Sequence, residues 1–391
     1  MDFDGDEGNR MTVEKSDIAA VETATPISSA ISPSVRSCSV IGQSNSIYSS
    51  GYFGNLMRRG GIRLAVSGRL GGSPSVIGPF FGADGRIFDA EYVFVDCSVI
   101  DSNATTWHGW DHCDVLSWID WIGHSARLRH CEPIFIVIPN ALSVSAPNSI
   151  LSIYEEIIYR NKYYYLDARE IFKKISESDG IAMDALFRDP VHPGDRVSNE
   201  IANCLTSFLA NHRREDDVLV RVQAAIRNFS RINLWNCAGH GTTQVNRSTS
   251  LIDFEGISFD EQAKLTVPTG TCRRLHAIMV NACKSRANLV IRGKQQITKG
   301  LVLQPNNDSA RCENRLIPVR SNISDHDGVI ELAIGATDAT LSEPTYGLRP
   351  FARDERAILE VSDLLIETGT TVHDYDAFVA KGSNNIMDII K

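Results

Sequence analysis

The sequence has no run of about 18 consecutive apolar residues, the length that a membrane-spanning helix requires. It also lacks an excess of basic residues, because 39 Lys and Arg stand against 48 Asp and Glu and give a formal net charge of -9. This balance provides no electrostatic footprint for a phosphate backbone or an anionic lipid surface. We therefore expect no membrane span and no nucleic-acid partner.

The cysteines and the amino terminus lack the patterns that are typical of secreted proteins. The nine cysteines are odd in number and include no Cys-x-x-Cys pair, which favours reduced thiols over a disulfide framework or a zinc site. The first residues, Met1-Asp2-Phe3-Asp4, are acidic, whereas an export segment begins with positive charge and continues into an apolar stretch. The cytoplasm is the expected compartment.

The length of the chain and the change of residue composition along it together predict two domains. A chain of 391 residues exceeds the roughly 250–300 residues that one hydrophobic core organises. Residues 1–35 are rich in Ser, Thr, Ala and Asp and show no sustained apolar period, which predicts a disordered leader. We expect an α/β domain over 36–215 and a β-rich ancillary domain over 216–391, joined at the charged segment 212–217.

The first of these domains alternates short β-branched runs with helix-like stretches. Near-continuous apolar runs predict a parallel five-stranded sheet covered on both faces, which is a flavodoxin-like, three-layer α/β/α fold. The helical period of Val197–Asn211 predicts the closing helix. The predicted strands are at Ser39–Ile41, Ile62–Val66, Tyr92–Asp96, Ile134–Ile138 and Tyr163–Leu166.

The second domain offers short strand-like runs between turns that are rich in Gly, Asn, Asp and Pro. This texture predicts an antiparallel β-sandwich. The clearest runs are Leu265–Val267, Ala277–Val280, Asn288–Ile291 and Val329–Leu332.

Polar residues follow the first predicted strand, at Gly42-Gln43-Ser44-Asn45. Ligands of open α/β sheets gather beyond the carboxyl ends of the strands, and glycine permits a sharp turn that presents Ser44 at a helix start. Ser44 is therefore a candidate nucleophile. A plain serine N-cap would give the same pattern.

A serine nucleophile needs a base, and that base needs an orienting partner. Asp189-Pro190-Val191-His192-Pro193 lies just before the closing helix and supplies such a pair. Asp189 can reach one ring nitrogen of His192 and leave the other for the serine proton. A surface Asp–His pair is the alternative for this motif taken alone.

The combination of these two motifs resembles the SGNH hydrolase family, also called the GDSL esterase/lipase family, over roughly residues 36–211. The first block of the family appears here as Gly42-Gln43-Ser44-Asn45, similar to the Gly-Gln-Ser-Asn of carbohydrate acetylesterases. The resemblance implies that Ser44 is the nucleophile, His192 the base and Asp189 its orienting partner.

The resemblance also implies an oxyanion hole made by the Ser44 backbone N–H, a glycine after the second strand and an asparagine after the third. Gly71 is the glycine expected, with Gly72 or Gly68 as alternatives. Ile100 stands where the asparagine belongs, so we expect Asn103 to substitute, while Ser102 or an ordered water could also fill the place.

The predicted substrate-binding residues are Gln43 and Asn45, which flank Ser44, together with Trp107 and Trp110, which could stack on sugar rings. Trp118 and Trp121 are expected in the core instead. His108 and His112 are spaced four apart, but no third ligand follows at metal-site spacing, so we expect no metal and no cofactor.

These features predict a serine-dependent esterase that acts on O-acyl or O-acetyl groups of a saccharide or polysaccharide. An O-acyltransferase that uses the same acyl-enzyme route is one alternative. Another is a non-catalytic carbohydrate-binding protein in which Ile100 has disabled the site. A further alternative is an enzyme on lipid or thioester substrates, which would need a broad apolar pocket instead of tryptophans and polar groups. The expected partner is the acylated saccharide, and a homo-oligomer stays open.

Overall fold

The computed structural model describes residues 35–70, 75–97, 101, 105, 111–145, 149–213, 216–249, 252–303, 313–336, 339–343, 345, 348–349 and 356–391. The predicted leader lies outside these residues except for Val35. Several residues of the predicted site region also lie outside them, so their roles stay predictions: Gly71, Gly72, Ile100, Ser102, Asn103, Trp107, His108 and Trp110.

A five-stranded, all-parallel sheet organises the first part of the chain, as the apolar runs predict. Its strands are β1 (Arg36–Gly42), β2 (Ile62–Arg69), β3 (Tyr92–Cys97), β4 (Glu132–Val137) and β5 (Tyr164–Asp167). Their spatial order is β2-β1-β3-β4-β5, with parallel pairing throughout. The order reverses between β1 and β3, which is the switch point at which open α/β sheets place their ligands.

Helices cover both faces of this sheet and complete the three-layer fold. They are α1 (Ser44–Ile47), α2 (Tyr52–Arg59), α3 (Ile77–Gly82), α4 (His112–Leu128), α5 (Ser149–Asn161), α6 (Ala168–Asp179) and α7 (Asp195–Asn211). One face buries side chains of α3, α4 and α5, and the other buries side chains of α2, α6 and α7. The helix α7 confirms the predicted closing helix, since Val197, Ile201 and Leu205 are buried at helical spacing. None of the described helices is long and apolar enough to cross a membrane.

Two antiparallel sheets form the second part of the chain, which confirms the predicted β-sandwich. A small hairpin of β6 (Phe187–Asp189) and β7 (His192–Pro193) precedes them. Their strands are β8 (Val218–Asn233), β9 (Thr242–Ser248), β10 (Asp253–Asp260), β11 (Lys264–Pro268), β12 (Arg274–Asn281), β13 (Asn288–Arg292), β14 (Gln296–Gly300), β16 (Asn314–Pro318), β17 (Val329–Gly335) and β19 (Ile358–Val379), and a separate short pair is formed by β15 (Val302–Leu303) and β18 (Leu348–Arg349). One sheet has the order β16-β12-β19-β10-β9, with β8 paired to β19, and the other has the order β11-β17-β13-β14. A buried apolar cluster that includes Leu265, Ile278, Leu289 and Leu332 lies between them.

The two passages of the chain between these parts are paired with each other. β8 leaves the α/β part after α7, β19 returns to it, and their register runs from Val218 opposite Val379 to Asn233 opposite Asp363. The sequence pattern missed β8, because arginines at exposed or partly exposed positions interrupt its apolar residues.

The last residues return to the α/β part, although the sequence analysis placed them with the β-rich domain. A short helix, α8 (Ile386–Ile389), buries Ile386 and Met387 in the α/β core. The Tyr165 backbone N–H donates to the Asn384 carbonyl at 3.1 Å, which places the segment beside the edge strand β5. A single boundary near residue 215 therefore does not assign all residues to the correct core. Whether the two parts fold as separate domains stays a prediction.

Helix α4 packs against the β-rich part through its two tryptophans. Trp118 and Trp121 are buried, as expected, and the Trp121 indole N–H donates to the Arg227 carbonyl at 2.8 Å. The Trp118 indole N–H lies 3.3 Å from Nδ1 of His276 on β12. Residues Val35–Lys391 accordingly form one compact unit.

Candidate active site

Ser44 is the first residue of α1 and directly follows the turn at the end of β1, at the carboxyl edge of the parallel sheet. Gly42 makes the turn possible, because a Cβ atom there would lie 1.9 Å from Ser46 Oγ and 2.7 Å from Ser46 Cβ. Gln43 and Asn45 are buried, whereas Ser44 between them is partly exposed. Of the four residues of the motif, Ser44 is the one that solvent can reach.

Asp189 holds His192 through a compact set of hydrogen bonds in the β6–β7 hairpin. Nδ1 of His192 lies 2.9 Å from Oδ1 and 2.8 Å from Oδ2 of Asp189. Oδ1 also accepts the backbone N–H groups of Val191 and His192, at 2.9 and 3.0 Å. Partial burial acts to raise the pKa of Asp189, but these donors outweigh it and hold the pKa below its ordinary value. The carboxylate is therefore ionised and fixed.

The His192 ring has a defined orientation and one free nitrogen. A proton on Nδ1 that points at Asp189 leaves Nε2 as an acceptor. Nε2 is buried and has no hydrogen-bond partner among the described residues. The Tyr48 ring meets the His192 ring edge-on, with centroids 4.9 Å apart, and the Arg188 guanidinium lies 5.2 Å from the Tyr48 centroid. Sequence reasoning missed Tyr48, which no motif marked.

The structure brings the Ser44 turn and the His192 hairpin side by side. Helix α1 contacts β7, and Asn45 and His192 line the same small cavity of about 10 Å³. No hydrogen bond joins Ser44 to Nε2 of His192 in this structure. Active-site hydrogen bonds are often long or misaligned before substrate binds, so this geometry is compatible with a serine–histidine pair.

Two buried carboxylates lie beneath the turn, and the sequence analysis did not single them out. Asp96, near the end of β3, accepts the Gln43 backbone N–H at 3.4 Å. Burial raises the pKa of Asp96 to about 7, and the nearby Asp101 carboxylate adds to the rise. Asp101 accepts the Gln43 amide Nε2 at 3.5 Å, so the side chain of Gln43 points into the protein. The sequence signal that could have marked them is a pair of aspartates at the end of the apolar strand β3 and just after it.

The remaining predicted residues divide between buried positions and undescribed ones. Gln43 and Asn45, predicted to bind substrate, are 0% and 4% exposed. Gly71 and Asn103 of the predicted oxyanion hole and the two predicted stacking tryptophans lie outside the described residues. Within the described part of the chain, no group of three His, Cys, Asp or Glu side chains could hold a metal ion.

No protein-family model matches the chain, and no curated protein matches it. Solved structures do match. A crystal structure of a two-domain esterase active on acetylated mannans, co-crystallised with mannopentaose, aligns with a TM-score of 0.55 at 11% identity, over 85% of this chain and 92% of that one. A second crystal structure of a two-domain esterase active on acetylated mannans aligns with a TM-score of 0.52 at 11% identity, over 87% and 92%. An acetyl xylan esterase aligns at 15% identity over 44% of this chain and 98% of that one, with a TM-score of 0.37.

The first two alignments extend over both the α/β part and the β-rich part of the chain. At 11% identity they establish a common fold. The chain therefore shares the fold of these two-domain esterases, with a three-layer α/β part and a β-rich part.

Proposed function

We propose that this chain is a serine-dependent esterase that removes O-acyl groups, acetyl among them, from a saccharide or polysaccharide. The observation that carries the proposal is the Asp189–His192 pair. Its carboxylate binds Nδ1, its Nε2 has no partner among the described residues, and β7, which carries His192, contacts the helix that begins at Ser44. An imidazole that is oriented through Nδ1 and keeps Nε2 available is what a general base for a serine nucleophile needs.

In the proposed reaction, Ser44 Oγ attacks the ester carbonyl while Nε2 of His192 takes the hydroxyl proton. Asp189 stabilises the imidazolium that forms. The oxyanion accepts hydrogen bonds from the backbone N–H groups of Ser44 and Gly71 and from the Asn103 side chain. The imidazolium then protonates the departing sugar oxygen, so that the sugar leaves as its free hydroxyl and an acyl-serine remains. Water, deprotonated by His192, attacks the acyl-serine, and the imidazolium returns the proton to Ser44 Oγ as the carboxylic acid is released.

The fold comparison and the sequence both support the substrate class that we propose. The two-domain esterase that aligns over most of the chain is active on acetylated mannans. An acetylated polysaccharide is therefore the substrate that we propose, with Trp107 and Trp110 as stacking surfaces for sugar rings. A sugar hydroxyl in place of water would make the same acyl-enzyme route a transfer reaction.

Hydrolysis of p-nitrophenyl acetate tests the proposal. We expect turnover in the wild type and its loss in Ser44→Ala and His192→Ala. Ser49→Ala is the matched control, since Ser49 is an exposed serine just beyond α1, and this variant should keep full activity. Addition of a saccharide acceptor during turnover distinguishes the two routes, because a transferase yields acylated acceptor and an esterase yields free acid.

A carbohydrate-binding protein without catalysis is the second candidate, and Ile100 in place of the family's asparagine favours it. Absence of turnover, combined with saccharide binding that Ser44→Ala leaves unchanged, would support this candidate. Turnover that depends on Ser44 would exclude it.

A further inference from the structure

One buried carboxylate joins segments that follow three different strands of the parallel sheet. Asp101 lies after β3 and is 0% exposed. It accepts the backbone N–H of Ser75 at 2.6 Å and also the Ser75 hydroxyl. It accepts the Tyr154 hydroxyl at 2.6 Å and the Gln43 amide at 3.5 Å.

The segments joined by Asp101 carry the predicted nucleophile and the predicted oxyanion donors, or support them. Gln43 immediately precedes Ser44 and follows β1. Ser75 follows β2, in the segment that carries Gly71. Asp101 itself is two residues before Asn103. Tyr154 lies on helix α5 and is also 0% exposed, so it supplies a rigid support from the layer behind.

All four groups donate hydrogen bonds to Asp101, so the site is built for an acceptor with two oxygens. Asp101 forms no ion pair with any described residue. Burial raises its pKa above the ordinary value, and the hydrogen bonds from Ser75, Tyr154 and Gln43 oppose that rise only in part. A buried carboxylate is expensive to desolvate, and an apolar side chain of similar volume would fill the same space without that penalty. Filling space therefore does not explain why a carboxylate stands at this position.

We propose that Asp101 is a positioning residue, which ties Gln43 after β1 and Ser75 after β2 to the segment after β3, so that Ser44 presents its Oγ and its backbone N–H, an oxyanion donor, to the ester. This inference rests on the proposed esterase function. Asp101 touches neither Ser44 nor His192 by any hydrogen bond of the structure, and it acts through Gln43 and Ser75. The proposal concerns transition-state stabilisation, so it predicts an effect on kcat and little effect on KM.

The test compares Asp101→Asn with a matched variant of another buried carboxylate. The asparagine keeps the shape of Asp101, but its amide N–H₂ group faces donors, so one of the contacts with Ser75 or Tyr154 is lost. Glu132→Gln is the control. Glu132 is 3% exposed, pairs with Arg127, and lies at the first residue of β4, at the edge of the sheet opposite to Ser44. Steady-state kinetics and thermal unfolding are measured on both variants, at a temperature where both are fully folded.

Asp101→Asn should lower kcat by about 10²-fold, the effect of a displacement of about 1 Å at a reacting centre, with KM nearly unchanged. Glu132→Gln should lower the melting temperature and leave kcat as in the wild type. A folded Asp101→Asn variant with wild-type kcat would overturn the proposal, as would an equal loss of kcat in Glu132→Gln.

A second variant decides the matter if Asp101→Asn does not fold. Tyr154→Phe removes one donor and leaves the carboxylate in place, and should lower kcat by about 10-fold, in line with the loss of one charge-assisted hydrogen bond. Wild-type kcat in Tyr154→Phe would then overturn the proposal. Failure of the esterase function itself looks different, because the wild type would then show no turnover that depends on Ser44.

Discussion

Nδ1 of His192 lies 2.8 Å from Oδ2 of Asp189, and the two residues are three positions apart in one short hairpin. The same carboxylate accepts the backbone N–H groups of Val191 and His192. The hairpin backbone therefore holds the Asp189 carboxylate in place, and the carboxylate in turn orients the His192 imidazole. An Asp–His pair of this kind needs no distant residue to orient it.

Asp189→Asn tests the orienting role of this carboxylate. An amide that donates to Nδ1 would leave the ring proton on Nε2, and a protonated Nε2 cannot accept the Ser44 hydroxyl proton. We expect kcat for p-nitrophenyl acetate to fall by about 10⁴-fold, as removal of this function does in serine triads. Asp184→Asn, an exposed carboxylate on the preceding turn, should have no effect. A loss below 10-fold in Asp189→Asn would contradict the orienting role.

Asn103→Ala tests whether Asn103 supplies the donor that Ile100 cannot. A lost oxyanion donor should lower kcat by roughly 10²–10³-fold with little change in KM. If Asn103 is only a turn residue, its loss should lower the free energy of unfolding by about 0.5–2 kcal/mol and leave kcat nearly intact. Measurement of kcat and thermal midpoint on the same variant separates the two, and unchanged kcat in an active enzyme would refute the substitution.

Gly42→Ala tests the tight turn that presents Ser44. The new Cβ atom would lie 1.9 Å from Ser46 Oγ and 2.7 Å from Ser46 Cβ. We expect the free energy of unfolding to fall by about 1–3 kcal/mol, the usual effect of overpacking. Ser46→Gly removes both of the clashing atoms, so Gly42→Ala should destabilise the protein much less in that background. Urea denaturation of the four proteins of this double-mutant cycle gives the coupling, and equal effects in both backgrounds would rule out the clash.

Asp96→Asn tests the buried carboxylate beneath the Ser44 turn through its pH dependence. Burial raises the pKa of Asp96 from 3.8 to about 7 in the folded protein. Between these values the folded state holds a proton that the unfolded state has released, so stability is lost as the pH rises. From pH 4 to pH 8 the wild type should lose about 4 kcal/mol relative to Asp96→Asn. Urea denaturation at both pH values measures this difference, and parallel pH profiles for the two proteins would contradict the raised pKa.

The sequence predicted most of the α/β part because buried parallel strands are nearly continuous apolar runs. The strand Tyr92–Cys97 is buried along its whole length, and its residues read as one such run. The strand β8 escaped prediction because Arg221, Arg227 and Arg231 interrupt its apolar residues. Its place is fixed by pairing with β19, a contact between residues far apart in the sequence.

The site divides in the same way between local and distant causes. Asp189 and His192 are three residues apart, so their contact could be predicted from spacing. The role of Asp101 could not, because its donors on Ser75 and Tyr154 come from other loops and layers. A carboxylate can be buried only where the fold brings hydrogen-bond donors to it, and the sequence alone does not show which donors those are.

The most direct test of the account is covalent labelling with a serine-reactive fluorophosphonate, followed by peptide mass spectrometry. An activated serine beside a general base should form a single phosphonyl adduct on the peptide that contains Ser44. Ser44→Ala should abolish the adduct, and His192→Ala should slow its formation strongly. An adduct on another serine, or no adduct with the folded wild-type protein, would contradict the claim that Ser44 and His192 form a catalytic pair.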